Sequence, residues 1–306
     1  MSYIRNTIRS LKNRLFSDSL RAIEVNSLLL GKINTRQILN INKLNSLKEA
    51  EFKVFSQWGD DGIIQYLINK IPITNQTFVE FGVEDYTESN TRFLLMNNNW
   101  SGLVIDGSYS NICNIKSSYY YWMYDLKAVH SFIDVDNIND TLLDNGFKGD
   151  IGILSIDIDG NDYWVWKAIS AVSPCIVICE FNSIFGDHHS VTVPYNPSFQ
   201  RTKEHYSNLY FGASLTALKE LASEKGYSFI GANSTSINAY FIKSDLLQYL
   251  DIEHINMNSY LSKCRESRDR DGNLTFLSGA DRIKKISKKP VIDLSNNELV
   301  LLKDIM

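Results

Sequence analysis

Apolar positions along the chain change their period near residue 54. Before it, Ile4, Ile8, Leu11 and Leu15 recur at helical spacing with Arg5, Arg9, Lys12 and Arg14 around them, and no proline interrupts residues 1–50. That pattern predicts helices with polar breaks. After it come short apolar runs: TFVEFGV (77–83), SGLVIDGS (101–108), the aromatic SSYYYWMYDL (117–126), DIGILSIDIDG (150–160) and PCIVICEFN (174–182). Helical patterns at 91–98, 135–145 and 163–171 fall between them. Buried strands alternating with helices predict a doubly wound α/β fold.

The alternation pauses after residue 182. Residues 183–212 carry two of the five prolines and little periodicity, as expected of a functional insertion. A helix over 213–225 follows, closed by Gly226, then a strand, and then a strand at 237–245 only a short turn away. So short a connection requires antiparallel pairing. The expectation is a seven-stranded, mostly parallel sheet whose last strand is antiparallel. A helical extension (1–50) precedes the main domain (51–250), and a polar extension (251–306) follows it.

The 306 residues are 44% hydrophobic and 22% charged, ordinary values for a globular protein, and the net charge of −4 gives no field for nucleic acid. Cysteines stand at 113, 175, 179 and 264. Cys175 and Cys179 share one strand, which holds them too far apart to bridge easily, and no CxxC pair exists. Four reduced thiols and a cytoplasmic setting follow. No apolar stretch is long enough to span a membrane, and the N-terminus lacks the apolar core of a signal peptide. The N-terminal helix is expected to pack on its own domain or on a second subunit, giving a homo-oligomer. A basic helix on a membrane surface is the other reading.

Candidate chemistry lies at the strand ends, which carry Glu80, Asp106, Asp125, Asp157, Asp159, Glu180 and Asn182. Ligands of open α/β sheets bind outside the carboxyl ends of the strands. The first strand carries Glu80 and runs into Gly82, and 26 residues after Glu80, Asp106 ends the second strand, where an acid accepts hydrogen bonds from ribose hydroxyls. Glu84 and Asp85 stand where a phosphate-binding loop would need amides, and would repel a pyrophosphate. The expected ligand is a nucleoside without phosphates that carries positive charge, and S-adenosylmethionine (SAM) meets that description.

With FSQWGDDGII (55–64), VEFGV (79–83), GLVIDG (102–107), LSIDIDGND (154–162) and CEFN (179–182), the sequence resembles class I, Rossmann-like methyltransferases. Within that group it is similar to the FkbM-type bacterial methyltransferases over residues 54–245. The resemblance implies that Glu80 and Gly82 meet the methionine part of SAM, and that Asp106 holds the ribose. Gly107 and Ser108 would line the adenosine site, Asp125 would reach the adenine, Ser56 and Gln57 would close over the cofactor, and Asp157 would stand beside the transferred methyl. It also implies O-methylation of a sugar or glycan in surface polysaccharide or natural-product synthesis.

A hydroxyl acceptor needs a general base or a metal. Candidates for catalysis are Asp157, Asp159, Glu180 and His188, and Asp157, Glu180 and Asn182 form a hard-oxygen set suited to Mg2+. Asn182, His189, Tyr195 and Tyr210 are candidate acceptor contacts, with Phe199, Tyr206 and Phe211 in the same wall. Arg265, Arg268 and Arg270 are candidates for an anionic group on the acceptor. Two other chemistries use an Asp157/Asp159 pair: an aspartyl-phosphate phosphatase and a metal-dependent glycosyltransferase. Both place it differently along the chain. A non-catalytic binding domain of the same fold is a third reading.

Overall fold

The computed structural model describes residues 2–252 and 262–305. Its strands are β1 (Thr77–Phe81), β2 (Ser101–Asp106), β3 (Leu126–His130), β4 (Gly149–Ile156), β5 (Val172–Glu180), β6 (Val191–Thr192), β7 (Tyr227–Ala232), β8 (Asn238–Lys243), β9 (Pro290–Asp293) and β10 (Glu298–Leu301). Seven of them form one sheet in the order β3-β2-β1-β4-β5-β8-β7. β1 to β5 pair in parallel, and β8 is antiparallel to both of its neighbours. This is the expected doubly wound sheet, with its last strand reversed and inserted between β5 and β7.

Alternate residues of each strand face opposite layers. Val79, Phe81, Leu103 and Ile105 enter one core, and Phe78, Val104 and Ile153 the other. The helices are α1 (Ser2–Ile38), α2 (Asp60–Lys70), α3 (Arg92–Asn98), α4 (Tyr109–Ser117), α5 (Tyr119–Met123), α6 (Ile138–Asp144), α7 (Asp162–Ala168), α8 (Arg201–Glu204), α9 (Leu215–Glu224) and α10 (Ala280–Ile286). A third apolar cluster unites two parts of the chain that the sequence reading kept separate. Phe185, Val191, Phe199 and Tyr210 of the insertion pack with Ile286, Val291 and Leu302, and β6 joins β9 and β10 in a small sheet.

Two expectations need correction. Residues 2–38 form one helix, not several, ending before a short 3-10 turn at Leu47–Ala50; the side chains of Ile4, Ile8, Leu11 and Leu15 lie outside the described residues. The aromatic run 117–126 is not a strand: it ends α4 and forms α5 before β3 begins. Tyr120 of this run is buried while Trp122 and Met123 are exposed, a one-sided burial that a single helical turn satisfies. Asp125 therefore precedes β3. It lies at the amino edge of the sheet, where its carbonyl accepts the Gly102 N–H (3.0 Å).

The chain leaves β1 toward β2 and β3, then returns to β4 on the other side of β1. The crevice between these two directions opens at the carboxyl ends of β1 and β4. Gly82 makes this geometry available. It has φ +71°, and a Cβ there would sit 1.6 Å from the Asp157 carbonyl oxygen. Gly82→Ala is expected to cost about 2–4 kcal/mol in urea denaturation, because backbone must move. Gly149→Ala, at φ +67° with open space around it, should cost only about 1 kcal/mol. Equal costs would show that the contact with Asp157 is not a constraint.

Candidate functional site

A cavity of about 390 Å3 opens at those carboxyl ends. Its lining includes seven carboxylates (Glu80, Glu84, Glu88, Asp106, Asp157, Asp159 and Glu180) and a single guanidinium, that of Arg201. Gln57, Gly82, Gly107, Phe132, Ile133, Asn161, Phe199 and Asn238 complete much of the wall. Asn238 is present because β8 runs backwards, which sets its first residue opposite Glu180, the last of β5.

The acids divide by what already holds them. Glu80 is buried and accepts bonds from the Ser89 hydroxyl (2.6 Å), the Asn90 N–H (2.8 Å), and the Thr91 N–H (3.1 Å) and hydroxyl (2.5 Å). It ties down the loop that starts α3. Burial pushes its carboxyl above the ordinary range, and these bonds pull it back. Asp106 accepts the Glu84 N–H on one oxygen (2.9 Å), and the Ser108 N–H (2.8 Å) and Asn111 amide (3.0 Å) on the other. It fixes the turn after β1 against the start of α4. Asp162 spans its own loop, accepting the N–H groups of Ile158 (2.8 Å) and Gly160 (2.9 Å); burial lifts it to about 6 despite these bonds.

Asp157 and Glu180 are held differently. Burial and then neighbouring negative charge push both carboxyls well above the ordinary range. Oε2 of Glu180 is buried without a hydrogen-bond partner, and so is Oδ1 of Asn161 on the same cavity wall. Asp157, Asp162 and Glu180 each bring a carboxylate oxygen within 4.8 Å of the others. Asp159, with φ +57°, turns outward and meets Arg201 Nη1 at 2.7 Å, and the same nitrogen lies 3.9 Å from Glu180 Oε1. Arg201 is fixed by donating Nε–H to the Asn208 carbonyl (2.8 Å) and by stacking 3.7 Å above the Phe211 ring.

The structure thus brings Gln57, Glu80, Gly82, Asp106, Gly107, Asp157, Asp159 and Glu180 together around one cavity. Other sequence candidates have structural duties. The Ser56 hydroxyl and the N–H groups of Val54, Phe55 and Ser56 all donate to one oxygen of Asp61. Ser108 caps α4, accepting the Asn111 N–H, and does not line the cavity. Asn182 accepts the Ile184 N–H and donates to the carbonyls of Leu209 and Phe211, so its amide pins the insertion, and it does not line the cavity. Asp162 takes its place in the set of oxygens that fits a divalent cation.

His188 and His189 are exposed outside the cavity, His188 beside Asp187 (3.3 Å). They precede β6, and the pairing of β6 with β9 carries them away from the sheet. Tyr195 accepts the Val135 N–H and packs near Trp164; Tyr210 is buried in the apolar cluster shared by the insertion and the C-terminal segment, a second lobe beside the main sheet, and donates to the Pro290 carbonyl (2.5 Å). Of the predicted aromatic wall only Phe199 lines the cavity. Arg265 and Arg268 bond to carbonyls of their own loop, and Arg270 lies over Tyr206. Arg201 went unrecognised in the sequence, although it is a lone arginine within an acid-facing insertion.

No protein-family model matches the chain, and no curated protein matches it. Solved structures with a similar trace include the N-terminal domain of EvdMO1 with SAH bound (TM-score 0.39, 10% identity, over 72% of this chain and 94% of that one). Another is the O-methyltransferase from Bacillus cereus in complex with SAH (TM-score 0.38, 12% identity, 68% and 89%). A third is an S-adenosylmethionine-dependent methyltransferase from Clostridium acetobutylicum (TM-score 0.39, 8% identity, 60% and 89%). At such scores and identities the likeness carries no argument for function.

The buried acids set a pH dependence. Asp61 and Asp162 titrate near 6 when folded and near their ordinary 3.8 when unfolded. Between those values the folded chain keeps protons that the unfolded chain has released, so stability falls as pH rises through that window. The ligand-free protein is expected to melt higher at about pH 5 than at about pH 7 by scanning calorimetry. A higher melting temperature at the upper pH would contradict this account of the buried carboxyls.

Proposed function

We propose that the protein is a SAM-dependent methyltransferase of the FkbM type, transferring a methyl group to a hydroxyl oxygen of a sugar or glycan. One observation carries the reading. Glu80 and Asp106, at the ends of adjacent parallel strands, line a single cavity whose charge is almost wholly negative. A nucleotide phosphate would be repelled there, whereas a nucleoside bearing a sulfonium and an ammonium is attracted. Asp106 retains acceptor capacity for ribose hydroxyls, since each carboxylate oxygen has two lone pairs. Ile105, Phe132 and Ile133 supply an apolar edge for the adenine ring.

SAM supplies a methyl group already activated by positive sulfur. The chain must align the acceptor with it and take the hydroxyl proton. Asp157 and Glu180 are the bases within the cavity, and their raised affinity for a proton suits that task. Arg201 and Phe199, from the second lobe, close the acceptor side and limit water. Mg2+ between Asp157, Asp162 and Glu180 would relieve the same buildup of charge. Turnover that survives EDTA would leave Arg201 as the positive partner of these acids.

Calorimetric titration with S-adenosylhomocysteine tests the central claim. The wild-type protein should bind it. Asp106→Ala should weaken binding at least about tenfold, the effect of losing one charged hydrogen-bond partner. His188→Ala should leave it unchanged. Wild-type protein that gives no heat signal and no thermal shift with this ligand would sink the proposal.

A further inference from the structure

Helix α1 carries two faces of different fate. Gly31, Thr35 and Ile38 are buried against the body, where Gly31 packs on Val54 and Phe93. Glu24 on the same side pairs with Arg92 (2.7 Å) and accepts the Tyr119 hydroxyl (2.5 Å). The other face is open and carries five exposed apolar residues, with Asn26 and Arg36 exposed among them: Ile23 is 61% exposed, Val25 48%, Leu29 53%, Leu30 61% and Ile33 50%. At 100° per residue these five span about 160° of the helix, far wider than the seam of a two-helix coil.

Charge selects the occupant. Residues 1–38 hold seven Lys/Arg against two acids, one of which, Glu24, is engaged with Arg92, while the whole chain is at −4. Among the described side chains, Arg21 and Lys32 border this sector by helical phase and the exposed Arg36 lies within it. Two copies meeting on this face would bring these like charges together. An anionic bilayer instead takes the apolar sector into its interface while the basic chains reach the headgroups. Trp122, on α5 one turn beyond the Tyr119 that contacts α1, stands 77% exposed, as an interfacial anchor would. No described helix is long and apolar enough to cross a membrane, so α1 would lie along it.

We propose that α1 docks the protein on an anionic lipid surface through the face formed by Ile23, Val25, Leu29, Leu30 and Ile33 and its basic borders. The proposal is independent of the methyltransferase reading. Full-length protein should cosediment with phosphatidylcholine vesicles containing phosphatidylglycerol and far less with phosphatidylcholine alone, and binding should fall as salt rises. The double variant Leu29→Glu/Ile33→Glu, altered only at exposed positions, should keep its circular dichroism and S-adenosylhomocysteine titration but lose at least about tenfold in vesicle affinity. Equal binding to both vesicle types, or unchanged binding by the folded variant, would overturn the proposal. So would a wild-type dimer that ignores vesicles and dissociates in the variant, since a second copy would then be the occupant.

Discussion

The contact on which the cavity depends is the reach of Arg201 from the second lobe to the acid ends of β4 and β5. Without it, Asp157, Asp159 and Glu180 would converge with no positive partner in the cavity wall. Isolated buried carboxylates are costly enough that they take up protons or acquire a cation. Arg201 is itself held by the Asn208 carbonyl and the Phe211 ring, both products of the insertion's own packing. The small sheet and apolar cluster shared by the insertion and the C-terminal segment are thus the scaffold of one guanidinium. The polar tail after residue 262 belongs to the site through this scaffold, although none of its described residues lines the cavity.

The acids of this fold are best sorted by whether their oxygens are satisfied. Asp60 accepts bonds from Asn233, Asn238 and Tyr240, and Asp61 from three consecutive backbone N–H groups; both are structural ties between the segment before α2 and the rest of the molecule. Asn238, which donates to Asp60, also lines the cavity, so the FSQWGDDGII stretch reaches the cavity wall through it. Asp162 and Glu80 fix loops in the same way. Oδ1 of Asp61 and Oε2 of Glu180 are both buried without a hydrogen-bond partner, but of the two only Glu180 lines the cavity. An unsatisfied buried carboxylate costs more than its neighbours' bonds return, and it persists where a ligand or proton completes it.

The strand pattern and the acids at strand ends were legible because both follow from periods that sequence preserves. Apolar runs with terminal carboxylates gave Glu80, Asp106, Asp157, Asp159 and Glu180, and all five line one cavity. Asp125 misled because an aromatic run satisfies either period until it is known which residues find cover; in α5 Tyr120 is buried and Tyr119 and Tyr121 are half-buried against the same core, while Trp122 and Met123 are exposed. Ser56, Ser108 and Asn182 have the chemistry of ligands, but short polar side chains bond just as well to nearby backbone. His188, Tyr195 and Tyr210 were placed by proximity to the strand ends in sequence. An irregular insertion has no period from which the direction of a side chain could be read.

The same limit explains why Arg201 was invisible. Its role depends on a pairing between residues 191–192 and 292–293, about a hundred positions apart, which no local pattern encodes. Once that pairing forms, the insertion must fold back over the sheet. Its first turn is then pinned through Asn182 to the carbonyls of Leu209 and Phe211, just beyond α8. Asn182 directly follows Phe181, the residue after β5 ends, so this bond sets the distance between Glu180 and Arg201. The asparagine that the sequence offered as a ligand candidate thus ties the insertion down beside the acids, and Arg201 comes with it.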